Sequence, residues 1–229
     1  MIKDILGQVV AGQHLERQEA FEAMRAIMSG QAPDSQIGAL LTALKLKGET
    51  GEEITGFAQA MRSLAVKVAC PGKSVLDTCG TGGDGKGTFN VSTAVAFVVA
   101  GAGATVAKHG NHGISSRCGS ADVLKELGVR VDLPPAAAAE AIALLDIGFL
   151  YAPLYHPAMR HAAQTRRDLG FRTVFNVLGP LTNPAGADRQ LLGVFAPELI
   201  EKLAGVLVSL GSRRAMVVHS CDGLDEIST

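Results

Sequence analysis

Apolar residues recur at helical spacing through the start of the chain. Ile5, Val9 and Val10 precede a turn at Gly12, and Phe21, Met24, Ile27 and Met28 repeat until Gly30. Asp34 is placed to cap a third helix through Ile37, Leu40, Leu41, Leu44 and Leu46, ending near Gly48. Thr50, two residues before Glu52, opens a fourth through Ile54, Phe57, Met61 and Leu64. Residues 1–70 therefore predict an N-terminal all-helical domain.

Past Pro71-Gly72 the period changes. Residues 74–77, 104–109, 148–152, 190–195 and 214–219 read as strands or strand exits, and 129–133 as a short extended piece. Between them, Asn90 or Ser92 opens a helix through Ala94, Val98 and Ala102, and residues 121–127, 136–145 and 197–210 read as further helices. The apolar run from Val91 to Val106 is too short to span a bilayer and reads as a buried helix and strand. Strands alternating with helices predict an α/β domain over 71–229, with a mostly parallel sheet of about four strands and right-handed crossovers. The last strand leaves the sheet an open edge.

Composition narrows the class. Of 229 residues, 47% are hydrophobic and 19% charged, and the formal net charge is −1. A nucleic-acid binder would carry a basic excess, so that class is set aside. The N-terminus, with Asp4 and no long apolar stretch, does not read as a secretory signal, and no membrane segment is expected. Cys70, Cys79, Cys118 and Cys221 lack any CxxC spacing, which fits reduced thiols in the cytoplasm.

The densest chemistry is DTCGTGGDGKGTFN, residues 77 to 90, with glycines at 80, 82, 83, 85 and 87 directly after a strand. Bare backbone at a strand exit lets N–H groups approach an anion. The dinucleotide fingerprint fits the glycines but not the sequel. It needs an acid about twenty residues on, and Ala107-Lys108-His109 stands there, with no acid between Asp84 and Asp122. The P-loop pattern fails because Gly87, not Ser or Thr, follows Lys86. A general phosphate cradle remains, with Lys86 and the hydroxyls of Thr78, Thr81, Thr88, Ser92 and Thr93 around it.

A second loop, Lys108 to Ser120, carries Lys, His, Asn, Ser and Arg at the end of the next strand. Parallel strands deliver both loops to one face. His109 and His112 have no third soft ligand nearby and do not read as a metal pair. A third cluster, Asp222 to Glu226, offers adjacent carboxylates of the kind that hold Mg²⁺ through shared phosphate coordination. Arg166, Arg167 and Arg172 complete the inventory, and one arginine can meet a carboxylate bidentately.

These stretches together resemble the anthranilate phosphoribosyltransferase family of tryptophan biosynthesis. The resemblance rests on Asp77-Thr-Cys-Gly-Thr-Gly-Gly-Asp84, Phe89 to Ser92, Lys108 to Asn111, Ser115 to Arg117 with Gly119-Ser120, and His156 to Ala158. It continues through Leu169 to Asn176, Leu178 to Pro184 and Asp222 to Glu226, and so covers nearly the whole chain. Members join a helical domain to an α/β domain, and helices from about 157–185 are expected to join the helical one. They form homodimers through the helical domain. They transfer phosphoribose from phosphoribosyl pyrophosphate (PRPP) to the amine of anthranilate, releasing pyrophosphate.

The resemblance also implies roles. Gly80, Thr81, Gly82, Gly83 and Asp84 would wrap PRPP, with Thr88, Asn90, Ser92, Thr93, Lys108 and Ser120 holding its phosphates and ribose. Ser92 would touch one Mg²⁺, and Asp225 and Glu226 would hold a second, two ions per site. Arg166 would pair with the anthranilate carboxylate, Asn111 would sit where the acceptor meets the ribose, and His109, Pro153, His156 and Gly179 would line the acceptor's path. No residue is nominated as a catalytic base. Family members run roughly a hundred residues further, whereas this sequence stops three residues after Glu226, as expected of a truncated chain. The rival readings are a pyrimidine nucleoside phosphorylase-like enzyme and an inactive fragment that binds PRPP and dimerises.

Overall fold

The computed structural model describes residues 2–113 and 118–228. The motif stretch Ser115 to Arg117 lies outside the described residues. The chain divides into two compact units: Met1–Ala65 with His156–Thr182, and Val66–Tyr155 with Asn183–Thr229.

The first unit is helical: α1 (Ile2–Val10), α2 (Arg17–Met28), α3 (Asp34–Lys47) and α4 (Gly51–Leu64). Their apolar stripes meet in a core of Val9, Met24, Ile27, Ile37, Leu40, Leu41, Leu44, Ile54 and Phe57, each at most 1% exposed. The return segment adds α9 (Arg160–Leu169) against α2 and α3, and α10 (Phe175–Leu178) against α4. One helix start differs from expectation. Asp34 is not the cap; Pro33 precedes the helix, and Asp34 sits in its first turn, where its carboxylate accepts from Thr165 Oγ1 at 2.9 Å. At α4, Thr50 stands at the N-cap and Glu53, the third helical residue, completes a reciprocal capping box with it.

The second unit is a sheet of five parallel strands, one more than expected. They are β1 (Val75–Gly80), β2 (Thr105–Gly110), β3 (Ile147–Tyr151), β4 (Arg189–Gly193) and β5 (Arg214–Val218), in the order β3-β2-β1-β4-β5. Between them run α5 (Val91–Gly101), α6 (Ser120–Glu126), α7 (Pro135–Leu145), the short α8 (Ala152–Tyr155) and α11 (Leu199–Ser209). Residues 129–133 pair with no strand. Leu133 runs into Pro134-Pro135, which have no N–H to give a ladder, and its carbonyl instead accepts from Tyr155 Oη at 2.8 Å. The apolar α5 is buried on one face only. Thr93 and Ala96 turn inward, but Phe97 is 48% and Val98 70% exposed, because the elements packed on α5 cover a single side.

The strand order places the fold's switch point between β1 and β4. From there β2 and β3 continue one way and β5 the other, and such a reversal opens a crevice at the carboxyl ends of the strands.

Candidate active site

The glycine-rich loop leaves β1 at this crevice. Gly80 lies beside Gly193 at the end of β4, and Thr81 N donates to the Gly193 carbonyl at 2.9 Å. Four of the five glycines, at 82, 83, 85 and 87, have φ between 63° and 80°. L side chains rarely adopt that left-handed region, so the run of glycine answers to backbone shape. Added Cβ atoms at 82, 85 and 87 would meet nothing within 4 Å, which leaves the loop's backbone open to a ligand.

The loop's hydroxyls divide into two groups. Those of Thr78 and Thr81 are engaged internally: Thr78 Oγ1 donates to the Ser92 carbonyl at 2.8 Å, and Thr81 Oγ1 accepts from Phe195 N at 3.1 Å. Thr88 is exposed. Thr93, in the first turn of α5, is 5% exposed, and its hydroxyl is buried without a hydrogen-bond partner. Asn90 caps the same helix start, and its Nδ2 reaches the Cys118 carbonyl at 3.1 Å, tying the first loop to the second.

Lys108 and His109, on β2, are 4% and 8% exposed. Lys108 Nζ donates to the Thr78 carbonyl at 2.5 Å and to Ser92 Oγ at 3.2 Å. An ammonium carries three donors, so one stays available. Burial pulls the Lys108 pKa down, against the pull of Asp77. Asp77 is wholly buried, and burial raises it to about 6 despite Lys108 and its bonds to Asn183 and the His109 amide. Asn183 Nδ2 lies 2.8 Å from both Asp77 Oδ2 and the Ala107 carbonyl, so it locks β1 to β2 beneath the loops.

The acidic segment folds back over the sheet. A Cβ on Gly193 would fall 1.7 Å from the Asp225 carbonyl, so glycine alone admits this approach. Gly223 N donates to the Ser220 carbonyl at 2.9 Å, and Ser220 N to the Leu224 carbonyl at 2.9 Å, which closes the turn. Burial raises Asp225, and so does Asp84 beside it. Burial and the charge of Asp225 raise Glu226 to about 7, against Lys108 and the Ser92 amide. Like-charged carboxylates held together in this way favour a cation between or beside them. The donors are all hard oxygens, the set Mg²⁺ takes. Among the described residues no three His, Cys, Asp or Glu side chains form a metal cage.

Asn111 and Ser120 sit together at the stems of the second loop, where Ser120 Oγ donates to the Asn111 carbonyl at 3.3 Å. Pro153 is exposed on α8. In the helical unit, His156 is 6% exposed, and Arg166 on α9 stacks its guanidinium 4.9 Å from the centre of the Phe175 ring. Gly179 opens a 3₁₀ turn and has nothing within 4 Å of an added Cβ. The crevice thus gathers Gly80 to Asp84, Ser92, Lys108, Asp225 and Glu226. Sequence reasoning passed over Asp77, Asn183 and Gly193, since each acts on partners distant in the chain. An isolated glycine within the expected strand 190–195, a mark of close backbone approach, was the available signal for Gly193.

Comparison with known proteins follows the same division. Residues 3–65 match the glycosyl transferase family, helical bundle domain, and residues 72–229 the glycosyl transferase family, a/b domain. The anthranilate phosphoribosyltransferase of Moorella thermoacetica is 59% identical over 228 residues, spanning 100% of this chain and 67% of its own. That of Myxococcus xanthus is 59% identical over 227 residues, 99% of this chain and 67% of its own. Among solved structures, anthranilate phosphoribosyltransferase from Thermus thermophilus superposes with a TM-score of 0.90 at 48% identity, covering 97% of this chain and 67% of that one. The Saccharomyces cerevisiae enzyme in complex with PRPP and Mg gives 0.90 at 31% identity, covering 99% and 68%. Its complex with 4-fluoroanthranilate gives 0.86 at 30%, covering 99% and 66%. The chain spans about two thirds of the length of the curated relatives it matches.

Proposed function

The chain belongs to the anthranilate phosphoribosyltransferase family, and from that premise we propose that it transfers the 5-phosphoribosyl group of PRPP to the amine of anthranilate. The products are N-(5-phosphoribosyl)anthranilate and pyrophosphate. One observation carries the reading: at the switch point, an open four-glycine turn and a buried lysine meet carboxylates raised by burial and by neighbouring charge, with a buried unpartnered hydroxyl at the start of α5.

Each part has work in this reaction. The backbone of Gly80 to Asp84 wraps the pyrophosphate and ribose. Asn90, Ser92 and Thr93 hold phosphate at the start of α5, with Thr88 beside them and Ser120 on the second loop. Lys108 turns its remaining N–H toward the leaving group's charge. Ser92, Asp225 and Glu226 hold two Mg²⁺ ions, which supply charge neutralisation on the pyrophosphate. Arg166 takes the anthranilate carboxylate, Asn111 meets the acceptor beside the ribose, and His109, Pro153, His156 and Gly179 guide it.

The C1–O bond to pyrophosphate breaks with oxocarbenium-like charge on the sugar, the amine lone pair forms the C1–N bond, and the nitrogen releases a proton. An aromatic amine is already neutral at pH 7, so positioning supplies much of the rate and no base is required. The helical unit forms a homodimer. We place the chain in the cytoplasm, where reduced thiols persist; among the described residues no helix is long and apolar enough to cross a membrane.

The test is to mix the purified chain with PRPP, Mg²⁺ and anthranilate and follow anthranilate fluorescence, with a Mg²⁺-free control. Magnesium-dependent loss of signal supports the transferase. No loss from folded chain refutes turnover by this length of chain, and release of a free base from a nucleoside and phosphate would move the reading to a phosphorylase.

A further inference from the structure

The second loop is held by a residue that the reaction as described does not use. Asp122 sits in the first turn of α6. Its Oδ2 accepts from Gly119 N at 2.8 Å, which by itself would be a helix cap. The same oxygen also accepts from Gly113 N at 2.8 Å, and Oδ1 pairs with His112 Nδ1. Those partners lie on the other stem of the loop. A cap has no need of them.

The stems are closed by further contacts. The Asn111 carbonyl accepts from Ala121 N at 3.1 Å, and the Asn111 side chain accepts from His112 N at 2.8 Å. A Cβ on Gly119 would lie 2.3 Å from Gly113 N, so the stems meet with no room for a side chain. The His112 ring stands edge-on to Tyr151 at the end of β3, with centroids 5.2 Å apart. Asp122 therefore joins one stem, the other stem and, through His112, the sheet. Its two glycine amides and then His112 hold the carboxyl at about 2, so the clamp stays ionised at any working pH.

We propose that Asp122 is a positioning residue for phosphoribosyl transfer: by clamping the stems it holds Asn111 and Ser120 where PRPP meets its acceptor. This rests on the transferase reading above. The Asp122 carboxylate is taken up by Gly113, Gly119 and His112, so its effect passes through those two residues.

Binding of PRPP with Mg²⁺ is measured by calorimetry on the full chain and on Asp122→Ala, Asp122→Asn and His112→Ala. Asp146→Ala is the control, because Asp146 also ties distant segments, through Lys73 Nζ at 2.7 Å and Thr105 Oγ1 at 2.8 Å, but at the opposite end of the strands. Losing two bonds to a charged acceptor should weaken PRPP about tenfold or more in Asp122→Ala. Asn can still accept both glycine amides through its oxygen and donate to a neutral imidazole, so Asp122→Asn should recover to within about threefold. His112→Ala should fall between them, and Asp146→Ala should match the parent. Hydrogen exchange should quicken at Gly113 and Gly119 in Asp122→Ala and nowhere in β1.

Unchanged affinity in Asp122→Ala overturns the proposal, as does an equal loss in Asp146→Ala, which would mark general destabilisation. Failure of Asp122→Asn to recover also overturns it, since charge rather than geometry would then matter. A parent chain that binds no PRPP overturns the transferase reading and the proposal together, whereas a parent that binds beside an indifferent Asp122→Ala overturns the proposal alone.

Discussion

Each unit buries an acid beside a lysine, and the two pairs behave in opposite ways. In the helical unit, Glu53 is 0% exposed and Lys47 Nζ lies 2.9 Å from its Oε2. Burial pushes Glu53 up, but the Leu15 and Thr50 amides and Lys47 together bring it below its ordinary value. Every oxygen has a partner: Leu15 N at 2.9 Å, Thr50 N at 2.8 Å and the ammonium. In the α/β unit, Asp77 and Glu226 share the field of Lys108, yet stand raised, to about 6 and about 7. One set is closed and stabilises the fold. In the other, burial outweighs what Lys108 and the hydrogen bonds return, which costs stability and suits a site that receives charged ligands.

Removing Glu53 should break the closed set. Glu53→Ala leaves Lys47 buried without its anion and strands two amides, at a cost of about 3–5 kcal/mol. Urea unfolding checks it, read by exchange at α4. The matching change in the open set should spare the fold. Glu226→Gln relieves repulsion with Asp225, so stability should hold or rise, while Mg²⁺-dependent turnover falls about a hundredfold. Equal loss of stability in both variants would erase the distinction.

The pH response should separate the units by sign. Glu53 lies below its unfolded pKa of 4.5, so its contribution is present above that value and is lost as pH falls. Asp77 lies above its unfolded 3.8 and Glu226 above its unfolded 4.5, so stability is fullest below those values. It is lost as pH rises to about 6 for Asp77 and about 7 for Glu226. Opening free energies at β1 should therefore drop by about 2 kcal/mol between pH 4 and pH 7.5, while those at α4 hold or rise. Adding Mg²⁺ should reduce the drop, since a cation favours the ionised carboxylates.

The contrast also explains what the sequence disclosed. Helices and strands were legible because their periods are local: β2 begins one residue from its expected place and β5 ends one short. The glycine loop, Lys108 and the Asp225-Glu226 pair were visible because each is a cluster of unusual types within a few positions. Asp77 and Asn183 were not, because their bond spans 106 residues. Gly193 lay inside the expected strand 190–195, and nothing near it in the chain announced that the Asp225 carbonyl lies over it. All five stretches read as strands are strands, yet the sheet was expected to hold about four, because a short apolar run does not declare its pairing.

The smallest test compares two threonines at helix starts. Thr50 Oγ1 accepts from Glu53 N at 3.2 Å and completes a capping box for α4. Thr93 occupies the first turn of α5, and its hydroxyl meets no partner in its buried place. Thr50→Ala should cost about 1 kcal/mol in urea unfolding and leave PRPP affinity alone. Thr93→Val keeps the shape and removes a hydroxyl that gains nothing from folding, so stability should hold or improve, because an unpaired buried polar group costs about 1–3 kcal/mol. Under the transferase reading that hydroxyl is reserved for phosphate, and PRPP should bind several-fold more weakly. Were Thr93→Val to bind PRPP as the parent does, the orphaned hydroxyl would be an accident of packing, and the cradle would rest on the glycine backbone and Lys108 alone.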